Sequence, residues 1–252
     1  MKNNSTPKIV GIYRVKNESR FIEQSLKSVM DICSEIIILD DNSTDNTVEI
    51  CSGFDKVTDI IKQKELSLDE TRDRNYLFEK ARKLDPDFIL SVDGDEIFMP
   101  NASDTLFEET STIYPNSDVF DFQFLTLWDN VNTIRTDGIF GYYWQKRLLR
   151  MKNQPLSLLF VENDNPGNIH CGSIPPSSVG FDRTAKSSVK IFHLASLYEE
   201  VRKRKYEFYS KTMDPDSVLT DAYVHMISGE GKFSGPNGIE LEQLPKEFTV
   251  NL

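Results

Sequence analysis

The sequence predicts an α/β fold, a mostly parallel sheet flanked by helices, followed by a β-rich half and C-terminal helices. Short apolar runs at 8–15, 35–39, 57–61 and 88–92 alternate with amphipathic stretches, the rhythm of parallel strands joined by crossover helices. Two of these runs, Glu35-Ile36-Ile37-Ile38-Leu39 and Phe88-Ile89-Leu90-Ser91-Val92, are nearly unbroken, as strands covered on both faces are. Each of those two ends in an acidic cluster, Asp40-Asp41-Asn42-Ser43-Thr44-Asp45 and Asp93-Gly94-Asp95-Glu96. The carboxylates therefore fall at the C-terminal edge of the sheet, where open α/β folds bind ligands.

Lys8 to Val15 alternates as a first strand, and Asn17 can cap a helix whose residues Phe21, Ile22, Leu26, Val29 and Met30 share one face. After the strand at 35–39, Asp45 or Thr44 opens a short helix that Gly53 stops. Beyond the strand at 57–61, Asp69 caps a longer helix with Tyr76, Leu77, Phe78, Ala81 and Leu84 on its apolar face, broken by Asp85-Pro86-Asp87. The strand at 88–92 completes a nucleotide-binding half over about residues 8–100. A helix from Leu106 to Tyr114 then gives way to β-rich stretches at 119–128, 142–151 and 156–161, a half expected to bind a second substrate and to run to about residue 195. The polar, Gly/Pro-bearing segments 129–141 and 162–180 read as loops long enough to cover an active site. A strand at 189–193 leads into a Lys/Arg-rich helix from about 196 to 212, and a second helix near 217–227 belongs with it to a helical extension over 196–252.

A chain of 252 residues, 38% hydrophobic and 27% charged, is ample for one large core. Its net charge of −11 argues against nucleic acid as a partner, since phosphate-backbone affinity rests on clustered Lys and Arg. Cys33, Cys51 and Cys171 are odd in number and widely spaced, which suggests neither a disulfide framework nor a zinc site. A reducing cytoplasm is the simplest location. The first residues lack the apolar core of a signal peptide, and no stretch approaches the roughly 20 apolar residues of a membrane span, which leaves a peripheral membrane contact open.

Crowding carboxylates into one crevice is unfavourable by self-repulsion, so a cation is expected to bridge them to something anionic, such as a nucleotide diphosphate. Asp93 and Asp95 are two apart at a strand end and project to the same side if the extended geometry persists. One can then reach a ribose hydroxyl and the other a divalent ion; a solvated turn would use the same residues. Hard oxygen ligands favour Mg²⁺ or Mn²⁺ over zinc. Asp45 suffices as the cap of the short helix, which leaves Asp40 and Asp41 free for a ligand.

The stretch from Val10 to Ile50, with Lys16-Asn17-Glu18-Ser19, Ser25-Leu26-Lys27-Ser28 and Ile38-Leu39-Asp40-Asp41 through Thr47, resembles the amino-terminal signature of family 2 glycosyltransferases, which have the GT-A fold. The likeness continues through Arg72-Asp73-Arg74-Asn75 and Asp93-Gly94-Asp95, and loosens at Gln145 to Arg150 and at Ile191-Phe192-His193. It implies a GT-A domain over 1–195 and a nucleotide-sugar donor bound across the first half. Tyr13, Arg14 and Asp41 would lie near the base, Asp93 near the ribose and Asp95 on the metal. Arg74, with Arg72 second, would reach the nucleotide, unless these arginines only pair with Asp69, Glu70 or Asp73. In such enzymes a late histidine often completes the metal site, which points to His193 as a ligand against a satisfied core histidine.

The resemblance also implies an inverting transfer to a hydroxyl of a glycan or glycolipid, which needs a base. His170 lies where an acidic residue often follows in similar enzymes, and Cys171 stands there instead. Asp164 is the first candidate base, with Glu162 and Asp182 next and Asp129 or His170 behind them. His225 reads as structural. The run Arg202-Lys203-Arg204-Lys205 reads as the wet face of a helix, and alternatively as a holder of the donor diphosphate or of an anionic lipid surface. Two other functions remain open at this point: a catalytically silent nucleotide- or glycan-binding module, and a sugar-phosphate nucleotidyltransferase, although no Gly-rich phosphate loop follows the first strand.

Overall fold

The computed structural model of the chain describes residues 6–65, 69–155, 171–212, 223–228, 230, 233–250 and 252. Four strands make the parallel half of the sheet: β1 (Ile9–Val15), β2 (Glu35–Asp40), β3 (Val57–Lys62) and β4 (Phe88–Asp93). β1 lies between β2 and β4, parallel to both, and β3 extends the row beyond β2. Residue parity decides what covers each face. Ile9, Tyr13 and Val15 pack with α1 (Ile22–Val29), while Val10 and Ile12 pack with Leu77, Phe78 and Ala81 of α3 (Glu70–Arg82). A short helix, α2 (Thr47–Ser52), follows β2, with the Asp45 carboxylate accepting from the backbone N–H of Thr47 at 3.0 Å. Asp69 caps α3 by accepting from the N–H of Arg72 at 2.9 Å, as the sequence predicts.

β4 is followed by β5 (Glu96–Phe98), by α4 (Ala102–Glu108) and by a single π-helical turn at Glu109–Ile113. The long strand β6 (Val119–Trp128) then meets β7 (Asn130–Arg135), β8 (Trp144–Arg150) and β9 (Thr184–His193). β8 runs antiparallel between β4 and β6, and so joins the two halves into one sheet, ten-stranded among the described residues. β9 lies parallel to β6 and pairs antiparallel with β5, which brings His193 opposite Glu96. The segment 196–212 contains α5 (Glu199–Thr212). Most of the helix expected at 217–227 lies outside the described residues; Tyr223 is helical and Val224–Met226 follows as one 3-10 turn. The strand expected at 156–161 also lies outside them. Near the C-terminus β10 (Leu241–Gln243) pairs with β7, a strand within the extension over 196–252 for which only helices were expected.

The expected loop at 129–141 is mostly β7 and a 3-10 turn, Gly138–Tyr142. Its polar composition hides the strand because its charges are buried in pairs rather than hydrated. Arg135 donates to Asp137 through Nε at 2.6 Å and Nη2 at 2.8 Å, and both side chains are fully buried. The guanidinium also lies against the rings of Trp128 and Phe140, at 4.8 and 4.2 Å from their centroids. Removing one member of such a pair leaves an uncompensated buried charge. Asp137→Ala is expected to lower the unfolding free energy by ~3–5 kcal/mol in urea titration, against a fraction of that for an exposed aspartate such as Asp182.

Candidate active site

A cleft of about 300 Å³ opens where β1, β2 and β4 end. Arg14, Lys16 to Glu18, Asp41, Glu70, Arg74 and Asp93 to Asp95 line one side, and His193 with Arg204, Lys205, Phe208 and Tyr209 of α5 line the other. Strand parity admits Arg14 and turns its neighbour away. Tyr13 is buried in the core on the α1 face, its hydroxyl 3.3 Å from Ser25 Oγ, so the expected place of Tyr13 beside the base is corrected. Arg14 donates to Asp41 through Nη2 at 2.6 Å and to Asp73 through Nε at 2.8 Å.

Helical spacing separates the two arginines of α3. Arg74 is buried and donates to Glu70 at 2.6 Å, to Ser91 at 2.8 Å and to Asp93 Oδ1 at 3.2 Å. Arg72 has a side chain 55% exposed, pairs with Asp73 and Gln63, and lies beside a different, more open cleft. The second place given to Arg72 at the donor site is therefore corrected: two residues along a helix turn the side chain roughly 200° away.

Asp93 is clamped. Arg74 holds Oδ1, and Arg147 of β8 donates to Oδ2 at 3.0 Å while also meeting Glu96 and Ser173. Burial alone would raise the Asp93 pKa, but the two guanidinium groups, Arg147 first, hold it well below the usual carboxylate range. Glu96 goes the other way: burial and then the neighbouring Asp93 and Asp95 push it well up, against Arg147. Asp95 is buried too. Its Oδ2 accepts from Lys205 and its Oδ1 lies 3.9 Å from His193 Nε2. Burial holds the His193 pKa below its ordinary value, leaving a neutral imidazole at neutral pH. Glu18 faces Lys205 at 3.7 Å, and burial pushes its carboxyl up to about 7. It packs on Gly94, where a Cβ would come within 2.9 Å of Glu18 Cγ; a side chain at 94 would spread the cleft wall.

Among the described residues no group of three His, Cys, Asp or Glu side chains is arranged to hold a metal ion. Asp95 and His193 supply two donors of the right kind, a carboxylate oxygen and a neutral imidazole nitrogen. That pair fits a hard dication which takes the rest of its shell from phosphate oxygens and water.

The base candidates fare differently. Asp164, Glu162 and His170 lie outside the described residues. Asp182 is exposed two residues before β9, whose far end carries His193, so roughly 30 Å of strand separates it from the cleft, and its candidacy is corrected. Asp129 pairs with Arg202 at 2.9 Å. His225 is buried with its ring 5.2 Å from Phe140, as a structural residue. The thiol of Cys171 is pushed up to about 11 by burial and then by Glu70, so it is no base at neutral pH.

A sequence model described as glycosyl transferase family 2 matches residues 12–160, more than half of the chain. The chain belongs to that family. The matched stretch runs from within β1 to beyond β8, and Arg14, Asp41, Arg74, Asp93, Asp95 and Arg147 all fall inside it. Among curated proteins it is similar to the SPbeta prophage-derived glycosyltransferase SunS of Bacillus subtilis (strain 168) and to glycosyltransferase SunS of Bacillus phage SPbeta. Each is 36% identical over 98 residues, 38% of this chain and 22% of the relative, so the match spans about a fifth of SunS. TarS of S. aureus shares the fold, with a TM-score of 0.54 at 17% identity over 86% of this chain and 42% of that one. TarS 1–349 in complex with UDP superposes with a TM-score of 0.50 at 17% identity, over 86% of this chain and 71% of that one. The large curled, mostly parallel sheet of this family 2 domain is the GT-A fold.

Glu18 and Glu70 line the cleft and Arg147 backs it through Asp93, none of them expected as cleft residues, and Lys205 was expected there only through the alternative reading of the basic run. The spacing of Arg202 and Lys205, three apart and inward beside buried Val201, was a usable signal, since Lys203 and Arg204 alone are well exposed. Arg147→Met should cost ~3–5 kcal/mol in urea unfolding by stranding Asp93 and Glu96. Adding Glu96→Gln should restore at least about 1 kcal/mol, because the second change removes one of the stranded carboxylates. Strict additivity of the two changes would show that the pair is not coupled.

Proposed function

We propose that this chain transfers a sugar, with inversion, from a nucleotide diphosphate sugar to a hydroxyl of a glycan or glycolipid, and that it needs Mn²⁺ or Mg²⁺ to do so. The observation that carries this reading is the pair at the end of β4: Asp93 locked between Arg74 and Arg147, and Asp95 facing a neutral His193. The first is a fixed acceptor suited to ribose hydroxyls. The second is a ligand suited to a metal.

In this reading Arg14 and Asp41 read the base edge, their mutual ion pair presenting a donor and an acceptor side by side. Arg74 and Arg147 keep Asp93 ionised and aimed. Asp95 and His193 would hold the dication, whose charge offsets that of the departing diphosphate. The acceptor proton goes to a carboxylate of the segment 156–170, with Asp164 first and Glu162 second. The support for that segment is its continuation, where Ser173 bonds Arg147 and Cys171 feels Glu70 and Arg74. The free cysteines fit a cytoplasmic location, and among the described residues no helix is long and apolar enough to cross a membrane; a peripheral contact with a lipid-borne acceptor is compatible with both.

Cys171 favours one second reading, a nucleotide-binding module that has lost its base, because a thiol with a pKa near 11 stands where similar enzymes carry an acid. Incubation with Mn²⁺ and a panel of nucleotide sugars separates the two readings, with uridine donors first because the TarS 1–349 complex contains UDP. One donor should release nucleoside diphosphate, and Asp95→Ala should lower that release by on the order of a hundredfold or more. Binding without release from any donor would support the silent module. Asp164→Asn is expected to keep donor affinity by calorimetry while transfer falls by roughly 10²–10⁴-fold; unchanged transfer would remove Asp164 from the role.

A further inference from the structure

The cation nearest Asp95 is already part of the chain. Lys205 projects from α5 into the cleft, its side chain only 19% exposed, and its ammonium donates to Asp95 Oδ2. His193 approaches the other oxygen of the same carboxylate at 3.9 Å. Glu18 lies on the opposite side of the ammonium at 3.7 Å. A single carboxylate, itself 6% exposed, thus serves an ammonium on one oxygen and the imidazole edge on the other. An ammonium and a divalent cation on the same carboxylate would repel each other, and burial leaves little water or salt to screen that repulsion.

We propose that Lys205 is an intramolecular stand-in for the metal: in the donor-free protein its ammonium neutralises Asp95, and a divalent cation binds there only by displacing it toward Glu18. The inference rests on the reading of Asp95 and His193 as metal-binding residues. It goes beyond that reading by assigning Lys205 as the competitor that sets metal affinity and couples it to the position of α5.

Three features make the exchange mechanically simple. Glu18 provides a second carboxylate within reach, so the displaced ammonium keeps a partner inside the cleft. The helix that carries Lys205 is seated by other contacts: Val201 is buried, and Arg202 donates to the carbonyl of Ser196 at 2.7 Å and to Asp129 at 2.9 Å while its guanidinium lies 4.3 Å from the centre of Trp128. Loss of the lysine therefore leaves α5 in place. Lys205 also lies one helical turn before Tyr209, which lines the same cleft and stacks on Tyr223 with ring centres 4.1 Å apart, so the ammonium shifts beside a fixed aromatic wall.

The test is Mn²⁺ affinity without nucleotide, measured from the paramagnetic resonance of free Mn²⁺ in the wild type, Lys205→Met, Lys205→Gln and Lys205→Arg. Removing the competitor should tighten Mn²⁺ binding at least about tenfold in both the Met and Gln variants, while Lys205→Arg, which keeps the cation, should stay near wild type. The sign is informative, because a variant that merely disturbed the fold would bind metal more weakly. Equal or weaker binding in Met and Gln overturns the proposal, and so does the absence of Mn²⁺ binding in every variant. Donor release that still requires Asp95 while metal affinity ignores Lys205 would remove the lysine's role and leave the transferase reading standing.

Discussion

Arg74 and Arg147 approach the carboxylate of Asp93 from two sides, one from the helix that covers the parallel half and one from the antiparallel strand β8. That contact ties together parts of the chain that are distant in sequence. The same two guanidinium groups bind Glu70, Ser91, Glu96 and Ser173, so the positions of α3, β4, β5 and the segment after 170 are set against one another through a single buried charge cluster. A buried ion pair of this kind contributes little net stability compared with apolar packing of the same volume, yet breaking it is costly. Its consequence is geometric: Asp93 stays ionised and fixed in direction before any ligand arrives, so little has to be reorganised on binding.

Charge is distributed through the cleft as local pairs. Arg14 meets Asp41 and Asp73, Arg74 meets Glu70 and Asp93, Arg147 meets Asp93 and Glu96, and Lys205 meets Asp95 and Glu18. A chain with a net charge of −11 repels an anionic substrate at long range, and these buried cations are what a diphosphate would meet once inside. The lysine end differs from the rest. A lysine ammonium is a point charge on a flexible stem, whereas Arg14, Arg74 and Arg147 are held by multiple hydrogen bonds, so Lys205 is more easily exchanged for another cation than they are.

Much of this was legible in the sequence. Apolar runs at strand period and helical stripes between them gave β1 to β4 and α1 to α3, because in a parallel sheet covered on both faces burial alone dictates residue type. The acidic clusters pointed to the cleft because carboxylates that follow an apolar strand mark the strand's end, and crowded there they need cationic partners. What was not legible depended on orientation or on distant partners. One step of strand parity put Arg14 in the cleft and Tyr13 in the core, and two steps along α3 put Arg74 in and Arg72 out. Arg147 gained its role from a strand pairing across more than fifty residues, which no local pattern announces. β7 was hidden because Arg135 and Asp137 satisfy each other in the interior and so read as loop residues. Asp182 looked plausible from its loop, but the length of β9 carries it to the wrong end of the sheet.

The central claim is that the cleft bounded by Arg14, Asp41, Asp93 and His193 receives the nucleotide. A crystal structure of the protein with the nucleoside diphosphate that the donor panel selects would test it most directly. The base is expected beside Arg14 and Asp41, the ribose on Asp93, and the diphosphate against Asp95, His193 and the displaced Lys205. Nucleotide found instead in the more open cleft beside Arg72 and Gln63, with the Arg74–Asp93–Arg147 cluster untouched, would contradict it.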